Sequence, residues 1–254
     1  MQLILSVGLK GGVGKTTVSV GLAHALESQG YKVGILDLDY RTPNVPLAFN
    51  QPSELDHSYE GDSLIPARID NIQVMSMAYI WPTFKCVLVE DTEAMEDVIH
   101  LLKPGIIAWD KDLDYLVVDT PPTSTGVVEI ALGNEDVKGA IVVTHSSTFS
   151  RMDMIRTLDL FAEKEVPIIG VVCNQSIDEN GEPRYDLEPS DIKDVCDSYG
   201  LELLTSIPHS RDKQVLEHYF TCVANEIDRE PVILKVKLPG DEAWNALQSL
   251  TKKL

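Results

Sequence analysis

Residues 8 to 17 read Gly8-Leu9-Lys10-Gly11-Gly12-Val13-Gly14-Lys15-Thr16-Thr17. Four glycines in so short a stretch let successive backbone N–H groups turn inward around phosphate oxygens, and a helix starting just beyond adds the positive end of its dipole. Lys15 then reaches the terminal phosphates of a nucleotide and the Thr16 hydroxyl ligates Mg²⁺; Gly11, Gly12, Val13, Gly14 and Thr17 complete the cradle. The strict spacing of such a loop asks for glycine at position 9, where this chain has Leu9. A glycine-rich turn bearing a surface lysine is the bland alternative, and it leaves the two threonines and the strand–loop–helix setting unexplained. Carboxylates stand where phosphoryl transfer needs them, to orient water and hold a metal. Asp37 and Asp39 close one apolar run, on the same side by strand alternation, and Asp119 closes another.

These residues need rigid elements to hold them. Short Val- and Ile-rich runs at 3–7, 32–38, 72–75, 115–118, 140–144, 168–173 and 201–206 alternate with helical periodicity at 16–28 and about 92–103. That alternation predicts βαβ units around a buried, mostly parallel sheet, an α/β fold in three αβα layers formed by a single domain over 1–254. The irregular stretches 40–70 and 175–189 follow the carboxyl ends of strands, where open α/β sheets place ligand crevices. With 44% hydrophobic residues, the chain has no apolar run of the roughly 18–20 residues that span a bilayer, and its amino terminus reads as a first strand. Cys86, Cys173, Cys196 and Cys222 lack any C-x-x-C spacing and suit reduced core thiols, which points to the cytoplasm. With 21 Lys and Arg against 40 Asp and Glu, the net charge of -19 disfavours nucleic acid and anionic lipid as partners. Trp244, Leu247, Leu250 and Leu254 form a terminal apolar stripe accompanied by only two lysines, so a helix packed on the domain is expected rather than a stable membrane grip.

Lys10 has no place in an ordinary phosphate cradle. With it the loop resembles that of the deviant Walker A P-loop ATPases, the group containing Mrp, MinD, ParA and the nitrogenase iron protein. The run Leu113-Asp114-Tyr115-Leu116-Val117-Val118-Asp119-Thr120-Pro121-Pro122, the segment Val74-Met75-Ser76-Met77 and the pair Pro43 and Pro46 look specifically like Mrp, and together these features span most of the chain. The resemblance implies a slowly hydrolysing MgATPase that dimerises around ATP, with Lys10 crossing to the partner's phosphates. By the same resemblance Asp39 holds the attacking water, Asp37 supports the metal, Asp119 supports Mg²⁺ through water, and Asn174 and Pro208 contact adenine. It also implies metal-centre assembly with a client metalloenzyme or metallochaperone.

The chain departs from Mrp in two places. Pro121-Pro122-Thr123-Ser124-Thr125-Gly126 replaces Pro-Pro-Gly-Thr-Gly-Asp, and residues 175–183 lack the C-x-x-C that bridges a cluster in iron–sulfur carriers of the group. A related branch, the ATP-type nickel-insertion ATPases of hydrogenase maturation, shares the Mrp core. His145 and Cys173, both at strand ends, are the candidate soft ligands on that reading; a hydrogen-bonding histidine and a core thiol are the plainer one. A spatial-positioning switch of the MinD or ParA kind, with no metal cargo, is the alternative class.

Overall fold

The structure, a computed structural model, describes residues 1–40, 42–51, 58–80, 99–122, 126, 130, 133–178, 180–210 and 212–235. Its strands are β1 (Gln2–Val7), β2 (Val33–Asp37), β3 (Ser58–Glu60), β4 (Ser63–Ile65), β5 (Ala67–Ile69), β6 (Ile72–Ser76), β7 (Tyr115–Asp119), β8 (Val137–Thr144), β9 (Pro167–Cys173), β10 (Leu203–Ser206) and β11 (Val232–Ile233). The helices are α1 (Lys15–Ser28), α2 (Val45–Ala48), α3 (Met77–Ile80), α4 (Thr148–Glu163), α5 (Pro189–Tyr199) and α6 (Lys213–Asn225). One sheet runs β10-β9-β8-β1-β7-β2-β6-β5, with β11 paired to the start of β9. Within this sheet, among the described residues, only the contacts of β5 with β6 and of β11 with β9 are antiparallel, and β3 and β4 form a separate antiparallel pair.

Every residue of β2, β6 and β7 is buried, as strands inside a covered parallel sheet are. Helix α1 packs on all three, and the side chains of Trp109 and Leu113 close over Gly34 of β2. The crossover from β1 to β2 runs one way along the sheet and those from β8 to β9 and β10 run the other, so right-handed connections put α1 on one face and α4 and α5 on the opposite face. Helix α6 packs against α1. Tyr199 of α5 donates to Asp159 of α4 at 2.7 Å, tying the second layer together.

Strand β1 lies between β7 and β8, where the chain reverses its direction of travel across the sheet. In open α/β sheets that reversal opens a crevice at the carboxyl ends of the strands, and the glycine loop leaves β1 at this point. The strands expected at 32–38 and 201–206 are shorter at both or one end, Val33–Asp37 and Leu203–Ser206. Strands β3, β4 and β5 occupy part of the stretch expected to be irregular. Most of the helix expected at 92–103 and the terminal stripe beyond 236 lie outside the described residues.

Candidate nucleotide site

Helix α1 begins at Lys15 with Gly14 as its N-cap, and no side chain caps its first N–H groups. Its orphan donors and dipole therefore face the loop as an anion seat. Gly12 and Gly14 hold positive φ of 82° and 87°, the left-handed turns that aim the loop's N–H groups inward. Asn174 is 1% exposed, and its Nδ2 donates to the Val13 carbonyl at 2.9 Å. A Cβ on Gly14 would sit 2.0 Å from that nitrogen. Gly14→Ala is therefore expected to cost about 1–2 kcal/mol of backbone strain and about 1 kcal/mol more for the displaced Asn174 bond. A lower melting temperature together with weaker ATP binding would show both effects, whereas an unchanged loop would refute the contact.

Lys15 is 8% exposed; burial lowers its pKa, and the charges of Asp119 and then Asp39 oppose that shift. Thr16 Oγ1 donates to Asp119 Oδ2 at 2.6 Å, and Ser19 Oγ lies 3.0 Å from Asp119 Oδ1. Burial pushes Asp119 up to about 6, against the Thr16 hydrogen bond, the Lys15 charge and the Ser19 hydrogen bond. Thr16, Lys15 and Asp119 thus form one cluster under the loop. A hydroxyl beside a carboxylate is a hard-oxygen pair that fits Mg²⁺, a cation held by few protein ligands and several waters.

Asp37 stands opposite Asp119 across β2 and β7 but is engaged differently. Its Oδ1 accepts from the Asp39 N–H at 3.1 Å, and its Oδ2 accepts from the Val45 N–H at 3.2 Å and Ser76 Oγ at 2.9 Å. Fully buried, it is held well above the usual carboxylate range by desolvation and then by the charge of Asp119. It anchors the start of α2 and the end of β6 to the sheet. Asp39 is half-buried and accepts from the Thr42 N–H at 3.0 Å and Thr42 Oγ1 at 3.1 Å.

Lys10 Nζ donates to Ser150 Oγ at 3.3 Å, 5.9 Å above the ring of Phe149, both on α4. Pro208 is buried beside the Asn174 turn, because the Ile207 N–H donates to Cys173 O at 2.8 Å and the Ser176 N–H to Ile207 O at 3.0 Å. His145 is 8% exposed and stacks on Tyr185, with ring centroids 4.7 Å apart. Burial, then the charges of Lys10 and Arg184, push it down to about 4, so it is neutral near pH 7. Cys173 is buried, and desolvation pushes its thiol up to about 12. Among the described residues no three His, Cys, Asp or Glu side chains come together as a metal site.

Sequence reasoning passed over Ser19 and Ser76. Ser19 interrupts the buried stripe of α1 one turn after Thr16, which is its signal; Ser76 ends a strand beside Asp37, and that neighbour relation needs the sheet order.

Residues 1–231 match the ParA family, described as NUBPL iron-transfer P-loop NTPase. The chain belongs to this family. Relatives named iron-sulfur cluster carrier protein are 31% identical over 99% of this chain in Aquifex aeolicus and 32% identical over 82% in Rickettsia felis. These alignments cover 66% and 61% of the relatives' own length, so the chain spans about three fifths to two thirds of them. An Archaeoglobus fulgidus nucleotide-binding protein in complex with ADP shares the fold, with a TM-score of 0.67, 24% identity, and coverage of 91% of this chain and 92% of that one. So does the septum site-determining protein MinD complexed with Mg-ADP from Pyrococcus horikoshii, with a TM-score of 0.66, 21% identity, and coverage of 90% and 96%. The matched span includes the glycine loop, and the family is one of P-loop NTPases. Among the described residues no helix is long and apolar enough to cross a membrane.

Proposed function

We propose that this chain binds MgATP, hydrolyses it slowly as an ATP-dependent homodimer, and assists the assembly of a metal centre in a client protein. The observation that carries the reading is the Thr16 and Asp119 contact beneath the glycine loop, with the Lys15 ammonium buried beside it. In this reading the loop N–H groups and Lys15 hold the phosphates, and Thr16 and Asp119 would hold Mg²⁺, which supplies charge neutralisation at the transferred phosphate when bound. Asp39 orients the attacking water, and Asp37 fixes the segment that presents Asp39. One N–H of the Asn174 amide is spent on Val13, which leaves its second N–H and its carbonyl for the adenine edge, beside Pro208.

The likeness to iron–sulfur cluster carriers favours an iron–sulfur client over nickel delivery. The chain would drive such assembly through its nucleotide cycle rather than by holding a bridging cluster. Cys173 and Cys196 are buried thiols with pKa raised to about 12, and the sequence has no cysteine pair of C-x-x-C spacing.

Two measurements test the reading. Titration with a fluorescent ATP analogue should give Mg²⁺-dependent binding, with slow turnover of unlabelled ATP. Anaerobic iron and sulfide reconstitution should leave no stoichiometric cluster. A stable cluster lost in Cys173→Ser would overturn the proposed division of labour, and strong ATP-dependent pelleting with liposomes or DNA would replace it with a positioning switch.

A further inference from the structure

Ser19 is fully buried on α1, three residues after Thr16, so the two hydroxyls sit on neighbouring turns of one helix face. Together they bracket the Asp119 carboxylate, Thr16 on Oδ2 at 2.6 Å and Ser19 on Oδ1 at 3.0 Å. Ser19 Oγ is also 3.0 Å from the Lys15 carbonyl, one turn back. A serine hydroxyl has one proton, so it serves one of these acceptors at a time. Bonding to the carbonyl four residues earlier is the ordinary resting place of a buried helical serine and would make Ser19 a packing residue only. A bond to an ionised carboxylate is about twice as strong as one between neutral groups, which decides the competition for Asp119.

We propose that Ser19 is a positioning residue for the metal part of the nucleotide site: it pins one oxygen of Asp119 and so fixes the orientation in which the other meets Thr16. The inference rests on the MgATP reading and deepens it. Without the Ser19 hydroxyl, Asp119 keeps a single tether and rotates about its side-chain bond, while the glycine loop, Lys15 and the Asn174 brace are untouched. The loss therefore falls on the contribution of Mg²⁺ to binding and spares binding of the bare nucleotide.

The experiment measures the affinity of a fluorescent ATP analogue across a Mg²⁺ titration and in EDTA, for wild type, Ser19→Ala and Ser19→Thr, with melting temperatures alongside. Direct Mn²⁺ binding in the presence of ADP, read by paramagnetic resonance, gives a second readout that needs no turnover. Ser19→Ala is expected to raise the half-saturating metal concentration about tenfold, the loss of one hydrogen bond to a charged group, with affinity in EDTA unchanged. Ser19→Thr should restore it. An equal loss of affinity with and without metal would make Ser19 a packing residue and overturn the inference, as would a wild-type metal titration in Ser19→Ala. If Ser19→Ala does not fold, Ser19→Thr and Ser19→Cys decide: the threonine must match wild type and the weaker cysteine donor must fall below it, and equality of the two overturns the proposal. Wild-type protein that binds the analogue without any response to Mg²⁺ overturns the MgATP reading and this inference with it.

Discussion

Lys10→Ala is expected to leave ATP affinity within about threefold of wild type and to cut turnover sharply, by up to about 10³–10⁵-fold if the lysine acts as a fully used cationic finger from a second copy. Its surroundings explain the split. In the single chain the Lys10 ammonium bonds to Ser150 at 3.3 Å and lies over the Phe149 ring, on α4. The cradle itself is built from the loop N–H groups, the start of α1 and Lys15, and none of these rests on Lys10. Its hold on α4 is slight: a long hydrogen bond, and a cation–π contact to a ring that is 76% exposed, worth about 0.5–1 kcal/mol. In the proposed dimer a transition-state contact worth several kcal/mol would outweigh that tether and let the lysine cross to the partner's phosphates. Lys15→Ala should instead weaken binding, by roughly ten- to a hundredfold for the loss of a charged hydrogen-bond donor. Mixing the two variants should recover part of the turnover, because a mixed dimer holds one site with Lys15 from one chain and Lys10 from the other. Sedimentation with a non-hydrolysable analogue reports the dimer. An ATP-bound monomer with full activity after Lys10→Ala would end the two-chain mechanism.

The loop was legible because its residues are contiguous: ten positions carry the glycines, both lysines and Thr16, and the strand and helix that hold them abut it in sequence. The core strands were legible because parallel strands buried on both faces leave unbroken apolar runs, as in β7 and β9. Strands β3, β4 and β5 have three residues each, too few for a period-two pattern to rise above noise. What remained hidden are contacts between distant residues. Asn174 braces a loop 161 positions earlier, and Lys10 meets Ser150 across 140 positions. Asp37 and Asp39 illustrate the limit of alternation. Their spacing places both near the strand end, but Ser76 and Val45, delivered by β6 and α2, enclose the first while the second remains half-buried.

Asp119→Asn is expected to stabilise the protein at neutral pH and to disable the proposed Mg²⁺ site, two effects with one cause. Burial raises Asp119 to about 6, above the ordinary carboxylate value of 3.8. The folded state therefore holds a proton that the unfolded state releases, and stability falls as pH rises from about 4 to about 6. Above that window the buried charge costs on the order of 3 kcal/mol, at 1.36 kcal/mol per pKa unit. Asp37, raised in the same direction, adds to the slope, so the Asp119→Asn variant should flatten it only in part. Asparagine retains one acceptor, for Thr16, and turns its amide N–H groups toward Ser19, whose hydroxyl then donates to the Lys15 carbonyl. It carries no charge for Mg²⁺ or Lys15. Metal affinity and turnover should then fall about 10–100-fold, the cost of losing a carboxylate that acts on a metal through its surroundings. Wild-type metal affinity should itself rise as pH climbs through about 6, when the carboxylate ionises. Chemical denaturation from pH 4 to pH 8, with a Mg²⁺ titration at each pH, measures both. A variant less stable than wild type at pH 8, with metal affinity intact, would mean that Asp119 is an ordinary core carboxylate, neither strained by burial nor aimed at the phosphates.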